Sequence, residues 1–572
     1  MNTIPKWTIA LALLAGTAHA QQPPDPNPSS DAYYNTAYGN GALAFLTPGL
    51  GPAGSFNTAV GMYALRLNTT GNYNTATGTR ALNVNSTGQY NTASGYNALV
   101  SNTSGQSNTA MGGNALAGNT TGQFNTASGM NALVYNNAGS SNTASGYEAL
   151  FSNTTGSGDT AVGYAALYYN TADDDTAVGY QSLYSNTSGI QNTASGADAL
   201  YSNTTGSYNT AIGQFALYQN TTADFNNAVG VNALFSNTTG TGNTATGVAA
   251  LRLNTTGNFN TATGNYALDL NTTGSNNTAV GFAALQVSTT GYDNTAVGYS
   301  ALYTNTAGAN NTAFGDLALY SNTTGKGNAA QGVNALYSNS TGIRNLGIGS
   351  NALYSNVSGS YNIALGFDAG YNVANGSNNI EIGTMGTAGD NNTIQIGVQG
   401  TQTSATIAGI YGTPVTGGAV YVTATGQLGV LGSSERFKTD IEPMSELTEK
   451  LSRLRPVTFH YRTDPRGIRQ YGLIAEEVDK VYPELVIRDG EGKIQGVRYE
   501  ELAPMLLNEM QQQERKVDAQ AKRNAEQAAT IVAQASEIRD LKRQVAKLND
   551  LKQEMLAALL KLQSKDQLVA QR

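Results

Sequence analysis

Cysteine is missing altogether from the 572 residues, and histidine nearly so, with only His19 and His460 present. These absences remove disulfides, Cys/His zinc sites and cysteine nucleophiles, and leave almost no material for a histidine-based triad. Stability must therefore come from packing and oligomerisation. Charge is also scarce: the 30 Lys+Arg and 38 Asp+Glu are 12% of the chain, and most fall after residue 432. The region before them offers no basic surface for nucleic acid, and the net charge of -8 reads as a solubility feature. After the N-terminus, no segment approaches the roughly 18 to 20 consecutive apolar residues of a membrane helix. No transmembrane helix, nucleic-acid partner, metal site or cofactor is expected.

The opening MNTIPKWTIALALLAGTAHA has an early lysine, an apolar run from Trp7 to Ala15, and small residues at Ala18 and Ala20. It reads as a secretory signal peptide (1–20) cleaved after Ala20, so export to the extracellular space, the cell surface or the periplasm is expected. A Pro-rich linker follows over 21–34.

From 35 to 383 the chain repeats. Asn57, Asn74, Asn91, Asn108, Asn125 and Asn142 mark a period of 17 residues, which survives a single-residue deletion near Asp175 and continues to Asn362 and Asn379. About 21 such copies predict a solenoid with one rung per copy. In the rung N-T-A-x-G-x-x-A-L-x-x-N-T-T-G-x-x, "NTAVG" suits a short parallel strand ended by glycine. The adjacent apolar pair of "xxALxx" favours one helical turn over a second strand, capped by "NTTG" with its glycine in the left-handed region. The NTT and NST triplets match the glycosylation sequon, but their recurrence is turn chemistry. One rung buries only an Ala, a Leu and a small aliphatic residue, which is thin for a lone column. Three columns about one axis bury more, and a homotrimeric rod on the order of 100 Å long is expected. Tyrosines beside "AL" (Tyr164, Tyr168, Tyr201, Tyr354) suit either packing between rungs or stacking on sugars. Asp173-Asp174-Asp175 reads as a solvated turn with at most weak calcium affinity. The style of these rungs resembles the heads of trimeric autotransporter adhesins and phage tail-fibre shafts.

Residues 384–432 are Gly- and Thr-rich with alternating β-branched residues, a β-structured neck. Composition then changes. "SELTEKLSRLRPVTFHYR" predicts a helix and a strand, and the stretch from "RQYGLIAEEV" onward a strand, a helix, a hairpin turning at Asp489-Gly490 and a final helix: a small α+β domain over 433–510. The strings "SSERFKTDI", "LRPVTFHYR", "YGLIAEEV", "YPELV" and "YEELAPMLLNEM" resemble, in order, the intramolecular chaperone auto-processing domain. That domain ends phage endosialidase tailspikes and tail fibres, and occurs in bacterial surface proteins and myelin regulatory factor. The resemblance implies a domain that trimerises, guides folding of the fibre before it, and cuts itself off with a serine and a lysine five positions later.

Those positions are Ser433 and Lys438, and the resemblance places the scissile bond beside Ser433, between Ser433 and Ser434. Ser434 stands where phage members commonly have Asp, which leaves two candidate nucleophiles. A serine hydroxyl needs a base, and without histidine a lysine of depressed pKa fills that role, through burial between copies or a neighbouring cation such as Arg436. The bland alternative is a non-cleaving cap in which Lys438 pairs with Asp440 or Glu442. Glu476 and Glu477 either orient the site or are ordinary solvated charges. Over 511–572, Ile531, Ile538, Leu541, Val545, Leu548, Met555, Leu559 and Leu562 keep heptad spacing, with Lys552 breaking it, so a coiled coil is expected. The leading reading is an exported fibrous trimer that meets a host surface or an extracellular polysaccharide or protein. Its alternatives are a tailspike-like receptor-binding or polysaccharide-degrading protein and a plain spacer.

Overall fold

The computed structural model describes residues 29–30, 34–44, 54–407, 419–423, 425–463, 467–489, 491–541, 553–561 and 563. The signal peptide, most of the linker, Gly490, and Val545, Leu548, Lys552 and Leu562 of the heptads lie outside the described residues. The chain divides into two units, Met1–Ala405 and Thr406–Arg572.

The first unit is a parallel β-solenoid. Each rung supplies a three-residue strand, and strands 17 residues apart pair in register, as Thr58–Val60 does with Thr75–Thr77. The 23-stranded sheet starts with Ser29–Ser30, antiparallel to Thr36–Tyr38. It ends with Ile394–Ile396 paired to Ile380–Ile382, so it passes the expected boundary at 383 and takes in the start of the neck. The missing residue falls in a loop, and Thr160 still pairs with Thr176.

A three-residue strand has one inward and two outward positions. The inward one is alanine, fully buried at Ala59, Ala76 and Ala93. Ala64 and Leu65 of "AL" complete the same rung's core, so the small aliphatic residue there is a second alanine and the valine slot (Val60) faces outward.

The segment expected to be a helical turn is two successive four-residue turns, closed by Ala64 N–H to Gly61 O (3.3 Å) and Asn68 N–H to Leu65 O (3.3 Å). Tyr63 (φ 60°) and Leu65 (φ 47°) sit in the left-handed region, which costs a side-chain-bearing residue roughly 1–2 kcal/mol each. The stack offsets that cost, because their N–H groups point along the rod: Tyr63 donates to Asn40 O (2.9 Å) and Leu65 to Ala81 O (2.9 Å). The left-handed glycine is not in "NTTG" but at the strand end, Gly61 (φ 129°). Gly71 of "NTTG" is there for room, since a Cβ would lie 2.3 Å from Gly88 O and 2.4 Å from Asn68 Oδ1.

Two buried asparagine ladders, unforeseen in the sequence, flank that glycine. In the first, Asn91 N–H donates to Asn74 Oδ1 (3.0 Å) and Asn91 Nδ2 to Gly105 O (2.9 Å). In the second, Asn102 Nδ2 donates to Asn85 Oδ1 (2.7 Å) and also to Gly105 O (3.0 Å). Each ladder satisfies polar groups that would otherwise be buried without partners, at roughly 1–3 kcal/mol per orphaned group.

In the second unit, a short hairpin pairs Tyr421–Val422 with Leu428–Gly429. Beyond it, the predicted helix is a 3-10 helix, Ser445–Arg453, followed by the strand Val457–Phe459 paired antiparallel with Gln470–Gly472. A one-turn helix (Ala475–Val478) and a hairpin of Val486–Arg488 with Ile494–Val497 come next. Asp489 organises the turn, its Oδ1 accepting from Glu491 N–H (3.0 Å) and Lys493 N–H (2.9 Å). Val478, Tyr482, Leu485, Val486, Val497 and Met505 form a small core. The helix Tyr499–Leu541 runs through position 510 without a break. Of the heptad residues, Ile531, Met555 and Leu559 are exposed, so this chain alone presents no coiled-coil pairing for them. Among the described residues no helix is long and apolar enough to cross a membrane.

Candidate functional site

Ser433 and Lys438 are brought together by a single 3-10 turn. Ser434 enters it extended (φ -66°, ψ 143°), and the turn Glu435–Phe437 closes through Phe437 N–H to Ser434 O (3.0 Å) and Lys438 N–H to Glu435 O (2.9 Å). One turn across five positions returns the lysine towards the first serine, and Lys438 Nζ lies 3.4 Å from Ser433 Oγ. This is a long contact, in the range of an approach that tightens when a site is completed. Of the two serines, Ser433 is the one that the ammonium reaches, and the Ser434 hydroxyl makes no capping bond to the turn. Lys438 forms no ion pair with Asp440 or Glu442 among the described residues.

The surroundings explain the local sequence. Arg436 lies over the Phe437 ring, with its guanidinium carbon 4.6 Å from the centroid. The same ring closes on Gly432, where a Cβ would be 3.2 Å from Cδ2. "LGSSERF" therefore needs glycine before the two serines, a signal that the sequence carried without its reason. Residues 431–440 are all exposed in the single chain, so any burial of the Ser/Lys pair has to come from elsewhere.

Glu477 belongs to a different interaction. Arg455 forks onto it, with Nη2 to Oε1 at 2.6 Å and Nε to Oε2 at 3.2 Å, and this hydrogen bonding holds the Glu477 carboxyl below the usual range. An open apolar groove lined by Leu451, Leu454, Val457, Tyr471, Leu502 and Leu506 lies on the same unit.

In the rod, the four tyrosines fall into three stacks. Tyr164 lies between Tyr147 (5.4 Å) and Tyr180 (5.2 Å). Tyr168 and Tyr201 belong to a half-buried ladder from Phe151 to Phe235, and Tyr354 to one from Tyr303 to Tyr371, with successive rings near parallel. The faces that sugars would need are covered by neighbouring rungs, which leaves edges and hydroxyls.

The acidic triplet is split by burial. Asp173 and Asp174 are exposed, whereas Asp175 is fully buried in the first asparagine ladder, above Asp159 in the same slot. The expected solvated turn therefore holds for only two of the three. Asp175 N–H donates to Asp159 Oδ1 (3.0 Å), but Asp159 Oδ2 has no partner. In the previous rung that position is an amide: Asn142 Nδ2 donates to Gly156 O (2.8 Å). Burial, then the nearby carboxylates of Asp175, Asp173 and Asp174, push the Asp159 carboxyl up to about 8.

A family model described as chaperone of endosialidase matches residues 433–487. The match begins at Ser433 and follows a solenoid of 17-residue rungs, the arrangement expected of tail fibres and tailspikes. No curated protein matches the chain.

Proposed function

We propose that this chain is an exported, fibrous homotrimer of surface or tail-fibre type, whose C-terminal domain guides assembly and then cuts itself away beside Ser433. The observation that carries the reading is the chaperone-of-endosialidase match starting at Ser433, on a turn that aims Lys438 at that serine. The β-solenoid before it fits a fibre built with the help of an intramolecular chaperone. Its three-residue strands pair only with adjacent rungs of the same chain, so a template at one end would set the register of three chains.

The chemistry follows from the two side chains. Ser433 Oγ attacks the carbonyl of the adjacent peptide bond, within one chain or between copies. A neutral Lys438 takes the hydroxyl proton and returns it to the departing amine, and water releases the acyl group. An exposed lysine is a poor base because water favours its charged form. Packing of further copies over residues 431–440 would desolvate it and so couple cleavage to assembly. The reaction is a single turnover, with proximity supplying much of the rate. Once freed, the rod is left to meet a host surface or an extracellular polysaccharide or protein.

The test is expression of the chain from Gln21 onward. We expect a C-terminal fragment beginning at or next to Ser434, with Ser433→Ala and Lys438→Ala each remaining full length while keeping the wild-type circular dichroism. Cleavage that persists in Ser433→Ala overturns the assignment of the nucleophile. Intact wild type that is trimeric by light scattering leaves a non-cleaving assembly cap in its place.

A further inference from the structure

The outward face of the strand ladder changes character along the rod. Many rungs present hydroxyls at both outward positions, as with Thr75 and Thr77, Thr92 and Ser94, or Thr143 and Ser145. In the last four strands both outward positions are aliphatic: Leu346 and Ile348, Ile363 and Leu365, Ile380 and Ile382, Ile394 and Ile396. These strands pair in register, so the residues form two adjoining columns. None belongs to the core, since the inward positions are Gly347, Ala364, Glu381 and Gln395. Leu365 is 47% exposed, Ile394 69% and Ile396 73%.

Eight aligned aliphatic side chains make a contiguous apolar patch on the order of several hundred Å², the size that marks an interaction surface. We infer that this patch is the clasp of the rod, where the same faces of three copies of the chain pack around one axis. The inference rests on the trimer proposed above and says which surface that trimer uses. A second copy is the occupant that the pattern selects, because an identical rod presents the same four aliphatic pairs at the same spacing and so meets the patch row for row. Charge raises no objection to like meeting like. The one acid of these four strands, Glu381, is turned inward and fully buried. The patch is also the part of the sheet closest in sequence to Ser433, so chains gathered by the C-terminal domain would meet through it before their hydroxyl-bearing rungs.

Because the chain has no cysteine, any introduced thiol is the sole one. Leu365→Cys and Ile396→Cys, each in a full-length Ser433→Ala background, are expected to form covalent dimers of the chain on mild oxidation. Ser358→Cys, exposed in a turn of the same region, and Thr77→Cys, on a hydroxyl-bearing rung, serve as controls, and linkage at the two aliphatic sites should exceed that at Ser358 at least tenfold. Outward substitution leaves the core untouched, which circular dichroism checks. A trimeric mass by light scattering without linkage at either aliphatic site overturns the clasp and leaves the trimer standing. A monomeric mass overturns both.

Discussion

The rod and the C-terminal unit build their cores in opposite ways. In the rod the core residues Ala59, Ala64 and Leu65 and their equivalents are fully closed off by the rungs above and below, with asparagine ladders satisfying the polar groups beside them. In the C-terminal unit the core is a handful of residues around Tyr482, while Phe437, Ile441, Leu447 and Tyr471 stay more than 60% exposed. The core of the rod is complete against its own neighbours, a nearest-neighbour design, and what apolar surface it leaves open lies on its outward face, as over the last four strands. The C-terminal unit leaves open the surfaces that a partner copy would cover, as the proposed trimer requires.

Three measurements would break or sharpen that contrast. The largest effect is expected from a pair of glycines. Gly230 has φ 140° and would place a Cβ 2.3 Å from Gly247 O, with stacked backbone that has nowhere to shift. Gly230→Ala should cost on the order of 4 kcal/mol in chemical denaturation, or open the rod there to protease. Gly496, in the C-terminal hairpin, has its nearest obstacle 3.9 Å away, at Ile487 Cδ1. Gly496→Ala should change stability by less than about 1 kcal/mol, and equal costs at the two sites would remove the distinction.

The next effect in size concerns the ladders. Asn209→Ala strips the acceptor from Asn226 N–H (3.0 Å) and one of two donors from Ala223 O (2.8 Å), which keeps Asn220 Nδ2 (3.1 Å). A loss of roughly 1–3 kcal/mol is expected from one buried group left without a partner. A denaturation midpoint at the wild-type value would mean that the ladder contributes nothing.

The third measurement concerns pH. The folded Asp159 carboxyl, pushed up to about 8 by burial, keeps a proton that the unfolded chain releases near its ordinary value of 3.8. Unfolding therefore releases a proton between these limits, and rod stability should fall as pH rises from about 4 to about 8. Asp175 and Glu381, each raised to about 7 chiefly by burial, act in the same direction. Asp159→Asn restores the amide used elsewhere in the ladder, and should raise the melting temperature more at pH 9 than at pH 5. An equal rise at both would show that the proton is not involved.

Much of the architecture was legible because the chain repeats itself. One period specifies a solenoid, "NTA" a short strand, and the run of motifs after residue 432 a chaperone-like domain with Ser433 and Lys438 in place. The turns were not legible. Apolar neighbours at "AL" suit a helical turn and a left-handed double turn equally well in sequence, and local preference at Leu65 favours the helix. The choice goes the other way because a helix would use its N–H groups within the segment, whereas here Leu65 N–H binds Ala81 O in the next rung. The asparagines show the same limit. "NTT" signals a turn, but an amide buried against its own copy 17 residues away appears only once the rungs are stacked.

The sequence by itself determined the period, the order of the parts, and the Ser/Lys pair with its five-residue spacing, because these depend on residue type and separation along the chain. The tertiary structure decided what faces in and what faces out. It placed alanine inside and valine outside, buried Asp175 while leaving Asp173 exposed, and turned an aliphatic face outward over the last four rungs. The physical reason is that in a stacked solenoid each residue's nearest partners are its equivalents in the adjoining rungs, so burial and hydrogen bonding are settled between rungs.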